Sequence, residues 1–278
     1  MHGATMSTAV ITIGIDPYIH LGPLSIAWHG VTIAIGIAVG ALFAARFARE
    51  RGISVEPLYG IVLMLTIGAL VGGRIFYLLE HDPGGIVRPD RLLGSHGFTF
   101  DGGVILAVVL IVAYVLRRGL SAAYLDVVAA GLGIGIAVGR IGDIINGEHY
   151  GPRSDFFLAV RNSNPNALTP NPHFAYHNGG LYESLLGLLI FAIVWSLRHR
   201  LRRPLELTWL VMTLFAAGRL VEFFYRLDSP QLALGLNNAQ WSSIGLLVVC
   251  AVGWPLTARL ARRHRAAQTA SKTPTIAP

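Results

Sequence analysis

The sequence predicts an all-α fold, a polytopic membrane protein of seven transmembrane helices with its N-terminus outside and its C-terminus cytoplasmic. Three observations predict it. Hydrophobic residues make up 53% of the chain and charged residues only 13%, where a soluble domain carries about 25% charged. The apolar residues fall into seven runs, each long enough to cross or nearly cross a hydrocarbon core of about 30 Å. Arginines gather at alternate ends of those runs.

The N-terminal stretch "MHGATMSTAVITIGIDPYIHLGP" has no Lys or Arg before its apolar part, so it does not read as a signal peptide. Span one covers about 24–45 and is followed by Arg46, Arg49 and Arg51. Span two covers 57–79, and span three, 98–116, is followed by Arg117 and Arg118. Span four covers 124–145; like span three it reaches full length only if a charged residue, Asp101 in one and Arg140 in the other, lies within the membrane. Segment 146–180, rich in Asn and Pro and without sustained periodicity, reads as a long external loop, a kind that is usually functional or disordered. Span five, 181–198, leads into Arg198, Arg200, Arg202 and Arg203. Span six covers 205–225, and span seven, 239–258, precedes Arg259, Arg262, Arg263 and Arg265. Every one of these arginine clusters falls on the same side, which the positive-inside rule makes cytoplasmic. Residues 1–265 thus read as a single seven-helix membrane domain, and 266–278, "AAQTASKTPTIAP", as a disordered cytoplasmic tail.

The net charge of +7 does not point to nucleic acid. Its carriers are arginines at the ends of apolar runs, with Lys272 the only lysine, which is a topology signal rather than a phosphodiester groove. The lone cysteine, Cys250, lies in the apolar run "WSSIGLLVVCAVGW", so an internal disulfide and a cysteine metal site are both excluded. No internal repeat marks a transporter of two related halves.

Against this apolar background the placed charges stand out. Arg74 lies 17 residues from Pro57, Arg140 lies 16 from Tyr124, and Arg219 lies 14 from Leu205. At 1.5 Å per residue each sits roughly 21–25 Å from the cytoplasmic side, a little below the outer surface. Each follows a glycine, in "GGR", "VGR" and "AGR". An arginine in hydrocarbon costs at least a few kcal/mol, so it snorkels, pairs with an acid such as Glu80, Asp143 or Glu222, or faces a cavity. Three at one level, with acids beside them, favour a shared anion site, and guanidinium forks suit phosphate. At that depth the natural phosphate is a phospholipid headgroup.

Asp101, Asp143, Glu148, Glu183 and Glu222 also fall at or just beyond the outer ends of spans. Arg140 and Asp143 are spaced i, i+3, as are Arg219 and Glu222, so the acids either neutralise the arginines or orient them around a ligand. Gly131, Gly135 and Gly139 form a small-xxx-small face for close helix packing. His29, His96, His149 and His177 lie near the outer face, where a single histidine is more often an interfacial hydrogen-bonder than a catalyst.

These residues resemble the bacterial prolipoprotein diacylglyceryl transferases. The family motif G-R-x-G-N-F-x-N-x-E-x-x-G is similar to "GRIGDIINGEHYG", which matches at Gly139, Arg140, Gly142, Asn146, Glu148 and Gly151. "LGPLSIAWHG", "GGRIFYLL", "HNGGLYES" and "GRLVEFFYR" resemble further family segments in the right order, covering most of the chain. The resemblance implies a multi-pass enzyme of the bacterial cytoplasmic (inner) membrane. It would transfer diacylglycerol from phosphatidylglycerol to the lipobox cysteine of a prolipoprotein signal peptide, releasing glycerol 1-phosphate, with no cofactor and no metal. Carried over, Arg140 and Arg219 hold and stabilise the phosphate leaving group, Glu148 and Glu222 orient them or the headgroup, and Asn146 and Gly151 shape the site. Arg74, Asp143 and Glu183 complete the expected substrate-binding set.

The chain departs from the family pattern at four places: His29 where the family usually has Tyr, Asp101 where it has His, Asp143 where it has Asn, and Asn178 where it has Pro. Asp101 stands at the position of the proton acceptor for the substrate thiol, which must become thiolate to attack carbon. Asp101 or His29 is therefore expected to handle that proton. The rivals are a divergent phospholipid-dependent transferase with another acceptor, and an anion or lipid transporter. Against the transporter stand the confinement of charge to the outer third and the lack of a midplane pair.

Overall fold

The computed structural model describes residues 10–94, 97–227 and 229–272. Among the described residues seven helical spans are long and apolar enough to cross a membrane: Trp28–Glu50, Glu56–His81, Phe100–Arg117, Ala123–Asn146, Gly179–Leu197, Glu206–Tyr225 and Asn238–Arg263. They match the seven apolar runs to within a few residues, and the chain is a multi-pass membrane protein.

In chain order, β1 (Ile11–Ile13) precedes a hairpin of β2 (Tyr18–Leu21) and β3 (Leu24–Ala27). The hairpin takes the first residues of apolar run one, so α1 begins only at Trp28 and ends at Glu50. The second span is α2 (Glu56–Ile67), a π-helical turn (Gly68–Gly72) and α3 (Gly73–His81). A 3-10 turn (Pro83–Val87) and α4 (Pro89–Leu92) lead to α5 (Phe100–Arg117). The fourth span is broken into α6 (Ala123–Gly139) and α7 (Ile141–Asn146). Next come β4 (Tyr150–Arg153), β5 (Val160–Asn162), β6 (Tyr176–Asn178), α8 (Gly179–Leu197) and α9 (Glu206–Glu222). A 3-10 turn (Phe223–Tyr225) and the hairpin β7 (Gln231–Ala233), β8 (Leu236–Asn237) lead into α10 (Asn238–Lys272). That last helix continues past residue 266, because "AAQTASK" contains neither Gly nor Pro to stop it; residues 273–278 lie outside the described residues.

Segment 146–180 is not structureless. It contributes three strands to a four-stranded sheet ordered β1-β5-β6-β4. β1 pairs parallel with β5, Ile11 opposite Val160 and Ile13 opposite Asn162, so the start of the chain completes a sheet built some 150 residues later.

The chain forms two compact units, Phe43–Val127 on the one hand and the described residues of Met1–Leu42 and Val128–Pro278 on the other. In the larger unit α6 is the pivot. Gly36 of α1 meets Gly135 of α6 so closely that a Cβ on Gly36 would lie 2.4 Å from the Gly135 carbonyl oxygen. The glycine face of α6 thus packs backbone to backbone, as its four-residue spacing predicts. α8 packs on α9, and α9 on α10, where Trp209 Nε1 donates to Thr257 Oγ1 at 3.0 Å. Outward residues such as Leu42, Leu189 and Val252 are apolar and exposed, as contact with hydrocarbon requires.

In the smaller unit α5 packs along the π turn, where a Cβ on Gly68 would lie 2.3 Å from the Ala107 Cα. Asp126 is fully buried and takes Arg51 at 3.9 Å, while Tyr124 donates to the Ser54 carbonyl at 2.9 Å.

Gly36→Ala, by forcing α1 away from α6, is expected to destabilise the protein by about 1–3 kcal/mol. Gly245→Ala, inside α10 where a Cβ meets nothing within 4 Å, is expected instead to raise stability by about 0.5–1 kcal/mol, alanine being the better helix former. Thermal unfolding in detergent micelles compares the two.

Candidate functional site

The polar residues that interrupt span four do so because the helix itself is interrupted. α6 ends at Gly139, Arg140 occupies the turn, and α7 restarts at Ile141. Thr32 of α1 fastens the break: its hydroxyl donates to the Gly139 carbonyl at 2.8 Å and accepts from the Gly142 N–H at 3.0 Å. α7 stops at Gly147, which takes the left-handed conformation at φ +70°. Its last carbonyls, which have no helical partner, are met by the sheet. The Asn162 amide donates to Ile144 and Ile145 at 2.8 and 2.9 Å, and the Leu168 N–H donates to Asn146 at 2.8 Å. α8 starts with Asn178 as its N-cap, the side chain accepting from the Leu181 N–H at 2.8 Å. The residue that departs from the expected proline therefore satisfies a helix end.

These termini converge on one carboxylate. Glu183 of α8 is buried and receives Arg140 Nε on Oε2 and Arg219 Nη1 on Oε1, both in close contact. Arg226 approaches the same Oε1 at 3.8 Å and pairs with Glu222 Oε1 at 3.3 Å. Arg219 and Arg226 also lie over the buried Phe223 ring, 4.6 and 4.2 Å from its centroid. On the other side, Arg140 Nη1 donates to Asp143 Oδ2 at 2.5 Å. Buried Asp143 then contacts His29 Nδ1 through Oδ1, and His29 Nδ1 also faces Glu148 Oε1 at 2.9 Å. His149 closes the ring, with Nε2 3.7 Å from Asp143 and Nδ1 accepting from Arg226 at 2.8 Å. Each buried carboxylate and guanidinium in this network therefore has a neighbour of opposite charge.

Nine of the eleven sequence-predicted site residues lie in this larger unit: His29, Arg140, Asp143, Asn146, Glu148, Gly151, Glu183, Arg219 and Glu222. Asn146 is buried, and its Oδ1 has no hydrogen-bond partner among the described residues. Gly151 lies against the Tyr225 carbonyl, where a Cβ would come within 1.8 Å of the oxygen. Arg74 and Asp101 belong to the smaller unit. There Arg74 donates to the backbone carbonyls of Arg91 and Gly97, and Asp101 sits half-buried in the first turn of α5. His96 lies outside the described residues.

Sequence reasoning missed Arg226, whose signal was its i, i+4 spacing from Glu222 within "GRLVEFFYR". It also missed a cavity of about 600 Å³ beside the charged cluster, walled by Phe156, Tyr182, Leu186 and Val221, with Glu222 and His177 as polar groups. Partial burial pushes the His177 imidazole below its usual value, and its Nδ1 is hydrogen-bonded to the Tyr182 hydroxyl at 2.5 Å. A single histidine facing several aromatic rings leaves no periodic trace in a sequence.

His29, Asp143 and Glu148 bring one nitrogen and two carboxylates within 4.8 Å of one another, the one set among the described residues that could hold a metal ion. The direct His29–Asp143 contact and the Arg140 guanidinium on Asp143 occupy those donors with each other.

A family model described as prolipoprotein diacylglyceryl transferase matches residues 17–256. A phosphatidylglycerol–prolipoprotein diacylglyceryl transferase of Streptococcus agalactiae is 32% identical over 83% of this chain and 91% of its own length. The enzyme of that name from Nitrobacter winogradskyi is 34% identical, covering 84% of this chain and 85% of its own. That of Bordetella avium is 30% identical, covering 90% and 97%.

Glu183→Ala removes the carboxylate on which two buried arginines lean and is expected to cost about 3–5 kcal/mol of stability. Glu183→Gln, which keeps the shape and part of the hydrogen bonding, falls between it and the wild type. Both are read as shifts of the thermal unfolding midpoint.

Proposed function

The chain belongs to the prolipoprotein diacylglyceryl transferase family, and we propose on that footing that it is an enzyme transferring the diacylglyceryl group of phosphatidylglycerol to a prolipoprotein. The acceptor is the lipobox cysteine of the signal peptide and the second product is glycerol 1-phosphate. The reaction takes place at the outer face of the bacterial cytoplasmic membrane, with the N-terminus outside and the C-terminus inside, as the arginine clusters argue.

The observation that carries this is Glu183, which holds Arg140 and Arg219 on the two oxygens of one carboxylate. Two guanidinium forks that reach one carboxylate also lie within reach of one tetrahedral anion. The apolar cavity beside them suits the diacylglycerol body of a lipid whose phosphate lies at the arginines. In the reaction the cysteine thiolate attacks the glyceryl carbon and a C–S bond forms. The C–O bond to phosphate breaks, and its electron pair remains on the phosphate oxygen. Arg140 and Arg219 stabilise the charge that grows there, and donors fixed in advance by Glu183 and Asp143 need no rearrangement. Asn146, Glu148, Gly151 and Glu222 shape the headgroup site; Arg74 is expected to bind substrate, and Asp101 or His29 to take the thiol proton.

Membranes carrying the protein should move label from phosphatidylglycerol to a lipobox peptide. Arg140→Ala and Arg219→Ala are each expected to lower kcat by about 10²–10³-fold, and lysine at either place should not restore it, because an ammonium lacks the paired donors. Transfer that is absent in the wild type, or undiminished in both variants, would remove this function. A tag fused after Pro278 should be digested by protease in inside-out vesicles and protected in right-side-out ones; the reverse pattern inverts the topology.

A further inference from the structure

The transfer just described needs one atom to take the thiol proton, and the geometry points to Nε2 of His29, with Asp143 as the residue that positions it; this rests on the transferase function proposed above. His29 is the second residue of α1, in a helix whose entry is set by the β2–β3 hairpin. Its Nδ1 meets two acceptors, Asp143 Oδ1 and Glu148 Oε1. A nitrogen facing two carboxylate oxygens must carry the hydrogen, so the neutral ring is the tautomer whose lone pair lies on Nε2. Among the described residues Nε2 has no partner, and the side chain remains 37% exposed.

Here one nitrogen is anchored to a buried carboxylate and the other is presented outward, which is how a carboxylate-oriented imidazole removes the proton of a nucleophile. Asp143 has a second task. Its other oxygen holds Arg140, so one buried side chain fixes both the proton acceptor and a guanidinium placed on the leaving phosphate. The charged and titratable groups around the ring and its anchor are Asp143, Glu148, Arg140 and His149.

The proton balance closes. The thiol proton moves to Nε2 as the sulfur pair forms the C–S bond and the C–O pair passes to phosphate. The imidazolium then gives that proton to the product. A phosphodiester monoanion and a thiol thus become a thioether and a phosphomonoester monoanion.

The test compares two lipobox peptides, one with cysteine and one with selenocysteine, whose selenol is already ionised at neutral pH and needs no acceptor. In membranes, His29→Gln is expected to lower kcat on the thiol by about 10²–10⁴-fold, with little change in KM for phosphatidylglycerol, and to lose far less on the selenol. Asp143→Asn, nearly isosteric, should shift the selenium-to-sulfur ratio the same way, because an amide can present a donor to Nδ1 and so reverse the tautomer. It stands in should His29→Gln not fold. Equal losses on both peptides in variants that fold, or relief by selenium in Asp101→Asn instead, would overturn the assignment. Wild-type enzyme inactive on both peptides would instead remove the transferase function itself.

Discussion

Everything in the larger unit answers to one electrostatic constraint: Glu183 is buried at the end of a membrane span between two arginines. An isolated ion there is held only at high cost, so each of the three must stay with its partners. That requirement passes outward, since Arg140 links Glu183 to Asp143, and Asp143 links on to His29. Neutralisation and substrate binding, which look like rival explanations for a membrane arginine, are here served by the same contacts.

The neighbouring packing follows from that constraint. To bring α1 near enough for Thr32 to fasten the helix break and for His29 to reach Asp143, the two backbones must approach closely, and Gly36 and Gly135 are the residues that permit it. The sheet then finishes what the broken helix leaves open, because Asn162 satisfies carbonyls that would otherwise be buried unpaired. Small residues inside the membrane and polar residues outside it therefore support the same few ions.

Much of this was legible in the sequence. Long apolar runs and arginine clusters are local signals, and the seven spans follow from them directly. The acid–arginine spacing at Arg140 and Asp143 was legible too, since three residues is short enough for the two side chains to meet even across the turn that Arg140 occupies. What escaped is long-range. β1 is too short to announce itself and is a strand only because Val160–Asn162 lies beside it. His29 and Asp143 stand 114 residues apart, so two departures from the family pattern that look unrelated along the chain prove to be one contact. Arg226 sits just beyond a helix end, where periodicity no longer assigns a face. The division at Phe43 and Val127 falls inside helices, where composition does not change.

The parallel pairing of β1 with β5 also bears on how the molecule comes into being. A ribosome delivers Ile11–Ile13 early, but its partner strand follows only after the first four spans have been synthesised. Until then the sheet that holds the carbonyls of α7 cannot close, and the nascent protein has its membrane helices without a finished outer site. Insertion and maturation are thus separate events in time. A half-made chain can be lodged in the bilayer yet hold no competent arrangement of charges to expose to the lipids around it.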